Sequence, residues 1–214
     1  MNIDMRMIPD LPRDPIASAA LELARSTESK SVFNHSVRSY LWAVLLAEHE
    51  NATGEADYDP VLLFAATVMH DLGVGSGARG QQRFEVEGAD LAAELLIAHG
   101  VSTSDVDRVW EAIAIHTSAG IAERRGLLAY LTREGVGIDF GRQAKVVLNH
   151  QEAIHAHYPR LAMVRSLVDA IVEHAGRSDA AAPRYSIPGE LLHERRQHGV
   201  TRMEQAAAQS PWAD

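Results

Sequence analysis

The chain has 214 residues, 46% of them apolar and 23% charged, with a net charge of −9 and no cysteine. This excludes a disulfide-stapled secreted domain, a zinc ribbon and a thiol nucleophile, and the longest uncharged apolar stretch, Val61 to Met69, is too short to span a membrane. With no Lys/Arg cluster to offset the acidic balance, nucleic acid and anionic membrane surfaces are not expected partners. Residues 1–10 lack a long apolar core and carry acid where a transit peptide carries base, so a cytoplasmic protein is expected.

The apolar spacing is helical nearly throughout, and alternating β-branched runs are missing, which predicts an all-α, single-domain helical bundle. Asp14-Pro15 reads as an N-cap followed by proline, opening a helix to about Arg25. A second helix is expected from about Val32 to Glu50, apolar on every side between Tyr40 and Ala47 and therefore surrounded by other helices. Asp59-Pro60 repeats the cap and starts a run that ends in His70-Asp71 before Gly73. After a glycine-rich loop, helices are expected from Phe84 to His99 and from Ser102 onward, the latter with the stripe Val106, Val109, Trp110, Ile113 that His116 continues. Further helices are expected at about 123–133, 140–157, 160–175 and 188–198, and the tail after Gly199 reads as frayed.

An imidazole and a carboxylate at the end of an apolar helix cost desolvation energy unless they bind something, and a divalent metal would satisfy both His70 and Asp71. Adjacent helical residues point about 100° apart, so the pair converges on one ion only where the helix ends, as it does before Gly73. A purely structural His–Asp hydrogen bond is the alternative. His35, on the first turn of the other buried helix, places a second polar group at a comparable helix end; alone it reads equally as a core or capping histidine. His116 with Thr117, and Asp139 in a short polar stretch, complete the set, each with a plain structural alternative.

The order His35, His70-Asp71, His116, Asp139 resembles the HD-domain superfamily of metal-dependent hydrolases, over about Val32 to Ala175. Its surroundings are similar to the cyanamide hydratase branch: Asn34-His35-Ser36-Val37-Arg38-Ser39-Tyr40, Met69-His70-Asp71-Leu72-Gly73, Phe84-Glu85-Val86-Glu87-Gly88-Ala89, Ala112-Ile113-Ala114-Ile115-His116-Thr117 and Tyr158-Pro159-Arg160. The resemblance implies an HD domain at 31–176 between an N-terminal helical extension (1–30) and a C-terminal helix and tail (177–214). It also implies one divalent ion, zinc or iron(II), ligated by His35, His70, Asp71 and Asp139, with Asp57, Asp59 and Asp169 as competitors for the last position. Phe84 stands where two-metal members carry a histidine, implying a mononuclear site.

With one metal, His116 would be free to face substrate, and His116, Asp71 and Thr117 are the expected catalytic residues. Asn34, Arg38, Trp42, Leu72, Phe84 and Glu85 are the expected substrate-binding residues, with Glu85 and Glu87 otherwise reading as exposed helix-start carboxylates. The expected reaction is addition of metal-activated water to a small nitrogen-rich molecule, cyanamide to urea leading; an HD-type phosphohydrolase and a scaffold with a structural metal are the alternatives. Gly75 to Gly80 matches G-x-G-x-x-G but follows a helix, so it reads as a flexible lid, with Arg79 or Arg83 meeting substrate, and not as a dinucleotide site. His150, His155 and His157 read as a solvated face, and His49, His99, His174, His193 and His198 as partly exposed. An apolar stripe exposed on the last helices would imply a homo-oligomer.

Overall fold

Helix α2 (Lys30–His49) is the axis of the molecule, because residues 31–32 and 34–47 are all buried and a helix apolar on every side needs neighbours all round. In the computed structural model, which describes residues 8–212, those neighbours are α1 (Pro15–Thr27), α3 (Pro60–Val68), α6 (Leu127–Asp139) and α8 (Met163–Ala175). Outside them pack α4 (Phe84–Ala98) and α5 (Thr103–Ala114), then α7 (Gln151–His157), α9 (Ile187–His198) and α10 (Arg202–Ala207). No strand occurs among the described residues, so the fold is all-α as the periodicity predicts, and no described helix is long and apolar enough to cross a membrane. The reading of residues 1–7 lies outside the described residues.

The caps form where the sequence places them. Asp14 accepts from the Ile16 amide at 2.7 Å, and Asp59 accepts from the amides of Val61 and Leu62 at 2.8 and 3.0 Å, satisfying donors that a helix start leaves open. Two glycines set the spacing around the site. A Cβ on Gly135 would lie 2.3 Å from the Ser39 carbonyl oxygen, so α6 approaches α2 only because Gly135 has none. A Cβ on Gly73 would lie 1.9 Å from the Phe84 oxygen, which brings the start of α4 against the turn that carries His70 and Asp71.

Four expectations need correction. Helix α6 begins at Leu127 and runs on to Asp139, which is its last residue rather than part of a loop. The helix expected over 140–157 is only α7, because Gly141 at φ 95° and Gln143 at φ 48° break the chain into tight turns before it. Helix α8 begins at Met163 because Leu161 and Ala162 both adopt left-handed backbone. The tail is ordered: Thr201 and Glu204 form a reciprocal capping box for α10, and Trp212 beyond it is buried. Residues 213–214 of that tail lie outside the described residues.

Candidate metal centre

His35 comes from the second turn of α2, His70 and Asp71 from the turn that ends α3, and His116 from the turn that ends α5. Helix ends are where polar side chains converge without breaking an apolar stripe. One ligand atom each from His35, His70 and Asp71 lie within 4.8 Å of one another, all three residues buried. Asp71 Oδ2 is 3.2 Å from His70 Nε2 and 3.7 Å from His35 Nε2. These three atoms are also buried without a hydrogen-bond partner. Three orphaned donor and acceptor atoms facing one point are costly as they stand and are the donor set a divalent cation satisfies.

The back of each imidazole is anchored. His70 Nδ1–H donates to the Thr67 carbonyl at 2.7 Å, and His116 Nδ1–H to that of Ile113 at 2.7 Å. His35 Nδ1–H donates to Asp139 Oδ2 at 2.7 Å. A carbonyl or carboxylate can only accept, so each ring carries its proton on Nδ1 and turns a bare Nε2 inward, the form that binds metal. The His70 ring centroid lies 5.1 Å from that of His35 and 4.8 Å from that of His116. His116 thus flanks the three-residue cluster without belonging to it.

The electrostatics favour a cation. Burial works against charge on Asp71, yet the imidazoles of His70, His35 and His116 hold its carboxyl down to about 2. Burial opposes charge on His70 as well, but the Asp71 carboxylate outweighs it and raises the imidazole above its usual value. Burial lowers His35, and it depresses His116 to about 4, helped by the neighbouring charge on His70. Neutral His35 beside an ionised Asp71 is the form that takes up a cation, and at His70 a metal would bind in competition with the proton.

Asp139, expected as the fourth ligand, has both oxygens committed elsewhere. Oδ1 accepts from Arg38 Nε at 2.7 Å and Trp42 Nε1 at 2.8 Å; Oδ2 accepts from Arg38 at 2.7 Å and from His35. Those bonds occupy the roughly four lone-pair positions of a carboxylate. Burial pushes Asp139 up, but the Arg38 charge and the His35 bond hold it well below the usual carboxylate range. Asp139 orients His35, and the cluster that could hold an ion has two imidazoles and one carboxylate. None of Asp57, Asp59 or Asp169 joins it among the described residues. Three protein ligands leave a coordination position open, as in catalytic sites, whereas a structural zinc is saturated by four.

The cluster forms the floor of a cavity of about 220 Å³. Phe84 and Thr117 line it as expected, together with Val136, Phe140, Leu167, Ile171, Ile187 and Met203 from α6, α8, α9 and α10, which the motif reading missed. Leu167 and Ile171 stand four residues apart on one face of α8, and the other four carry no local sequence signal. Asn34, Arg38, Trp42 and Leu72 do not line it. Asn34 donates to the Pro159 carbonyl at 2.8 Å, Arg38 and Trp42 hold Asp139, and Leu72 is core. Glu85 is fully buried beside the cavity, accepting from Thr117 Oγ1 at 2.8 Å and Arg83 at 2.6 Å, so it fixes the hydroxyl that faces inward.

The glycine-rich segment is tied down, not a loose lid. Glu87, also buried, accepts from the amides of Arg79, Gly80, Gln81 and Gln82, and His174, buried rather than partly exposed, donates to the Gln82 carbonyl at 2.8 Å. Arg79 stays out of the cavity, and Arg83 is paired with Glu85. His155 is no solvated residue either: its ring meets Trp42 and Trp212 edge-on. A wider groove of about 700 Å³ between α8 and α9 carries no His/Asp cluster among its walls.

Comparison with known protein families matches the HD domain over residues 32–181, and the chain belongs to the HD domain family. That membership and the cluster define a metal-dependent hydrolase in the broad sense, built to hold a divalent ion. No curated protein matches the chain.

Proposed function

We propose that the protein adds water to a small, uncharged, nitrogen-rich molecule, cyanamide being the first candidate and urea its product. The observation that carries this reading is the cavity wall. Beyond the cluster it is mostly apolar, and its two arginines are each paired with a glutamate: Arg133 with Glu123 at 2.6 Å and Arg142 with Glu134 at 3.0 Å. Phosphoryl transfer needs free cations on the developing charge, whereas a compact neutral substrate needs a small dry space.

His35, His70 and Asp71 would hold a divalent ion, zinc or iron(II), which would supply Lewis acidity that lowers the pKa of water towards neutrality. The side chains do the rest. Asp139 keeps the His35 ring and tautomer in place. His116 Nε2, its other nitrogen committed to Ile113, takes the proton from the attacking water and passes it on to the substrate nitrogen. Thr117 Oγ1, its own proton donated to Glu85, accepts from that nitrogen once it is protonated. Oxygen joins carbon, both protons of the water end on nitrogen, and the amide results. Phe84, edge-on to His116 with ring centroids 5.8 Å apart, keeps bulk water from the shuttle. The partner is a small molecule; nucleic acid and membrane are not part of this reading.

A phosphohydrolase is the second reading, favoured by one observation: Arg142 lines the cavity with its side chain 47% exposed. The test is release of urea from cyanamide, and of phosphate from a panel of monoesters, by the metal-loaded protein beside His70→Ala. Urea release that His70→Ala abolishes supports hydration. Phosphate release without urea overturns it in favour of the second reading.

A further inference from the structure

We propose that Trp212 is a positioning residue for the metal ligand His35, acting from the end of the described chain through Trp42 and Asp139. The proposal rests on reading His35, His70 and Asp71 as the metal centre.

The Trp212 indole lies parallel to that of Trp42, with ring centroids 5.8 Å apart and planes within 3°. The two indole N–H groups reach consecutive residues. Trp212 Nε1 donates to the Ile138 carbonyl at 2.5 Å, and Trp42 Nε1 donates to Asp139 Oδ1 at 2.8 Å. Asp139 Oδ2 in turn accepts from His35 Nδ1 at 2.7 Å. One indole therefore pins the backbone just before Asp139, and the other pins its carboxylate.

Trp212 is 2% exposed, although it lies beyond α10 and outside every helix. The tail reaches the site because Gly141 lets it pass. A Cβ there would lie 2.7 Å from Ser210 Oγ and 2.8 Å from Pro211 Cδ. His155 meets both indoles edge-on, at 5.8 and 5.5 Å, and so packs alongside the stack. Without Trp212 the outer face of Trp42 opens to solvent, and water competes for Asp139 Oδ1. The carboxylate then gains freedom to turn, and His35 loses the partner that fixes its ring and strengthens its Nε2 as a ligand.

The test is zinc affinity of the full chain, measured by competition with a chromophoric chelator for the wild type, His70→Ala, Trp212→Ala, Trp212→Phe and Trp110→Ala. Far-UV circular dichroism and urea denaturation run alongside. Trp110, whose Nε1 donates to Asp90 at 2.8 Å, controls for loss of an indole contact away from the centre. The wild type should bind one equivalent, with His70→Ala binding none. Trp212→Ala should bind about tenfold more weakly or worse, and Trp212→Phe, which keeps a ring but no N–H, should fall between. Trp110→Ala should lose stability with unchanged affinity. If the wild type binds and the folded Trp212 variants match it within about twofold, the positioning role is overturned and the metal centre stands. If the wild type binds no zinc, the metal centre itself is overturned. Should Trp212→Ala not fold, Trp212→Phe decides by the same criterion.

Discussion

Asp139 Oδ2 accepts a 2.7 Å hydrogen bond from Nδ1 of His35, across 104 positions of sequence, so the carboxylate fixes the ring whose Nε2 faces His70 and Asp71. Its remaining capacity is taken up by Arg38 and Trp42. The expected effect of Asp139→Asn follows. Arg38, fully buried, would keep its charge without a counter-charge, which costs about 3–5 kcal/mol. Zinc affinity should fall by roughly 10–100-fold without vanishing. Urea denaturation and chelator competition check both. Complete loss of zinc at unchanged stability would mean that Asp139 ligates the ion directly.

Removing the metal should destabilise the fold. His35 Nε2, His70 Nε2 and Asp71 Oδ2 are buried without hydrogen-bond partners, so a cation that binds only the folded state stabilises it. At free zinc 100-fold above the Kd the gain is about 2.7 kcal/mol. Thermal unfolding should show a rise in Tm with zinc that a chelator reverses, and no such rise for His70→Ala.

His116 should separate catalysis from metal binding. It lies against His70 but outside the cluster of His35, His70 and Asp71. His116→Ala is expected to lower turnover by about 10²–10⁴-fold while one equivalent of zinc stays bound. Loss of zinc from this variant would make His116 a ligand and remove it as the shuttle.

Glu87 ties the segment 79–82 to α4 through four backbone amides. Burial raises its pKa, but those hydrogen bonds outweigh burial and hold it below the usual value. A carboxyl lowered on folding contributes stability above its unfolded pKa and loses it as pH falls through the folded one. Glu87→Gln should therefore cost about 2 kcal/mol at pH 7. The gap to the wild type should narrow as pH falls through the acid range. Equal gaps at pH 7 and pH 3 in urea denaturation would show that the ionised carboxylate is not what holds the segment.

The centre was legible where local rules suffice. His35, His70 and Asp71 interrupt apolar helices near their ends, and burying such groups is expensive enough to mark them individually. Asp139 was found as a residue, but not its hydrogen bonds to His35, Arg38 and Trp42. Its partners Arg38 and Trp42 lie on another helix, and no local pattern says whether a carboxylate will face an ion or a guanidinium. Glu85 and Glu87 look like ordinary first-turn acids, yet both are buried because the chain doubles back over the start of α4. Leu167 and Ile171 share one face of α8, Ile187 and Met203 carry no local signal, and only the packing of α8, α9 and α10 turns the four into a cavity wall.

By itself, then, the sequence determined an all-helical chain, the capped starts of α1 and α3, and the three side chains that the bundle would have to bury at helix ends. Those follow from hydrophobic period, capping chemistry and desolvation, which act within a few residues. The tertiary structure alone decided that Asp139 serves His35, that the glycine-rich segment is fastened by Glu87, and that Trp212 folds back onto Trp42. Asp139 and Trp212 choose partners distant in the chain and Glu87 chooses the turn before its own helix, and these choices are settled only when Gly73 and Gly135 let backbones touch and Gly141 lets Ser210 and Pro211 pass.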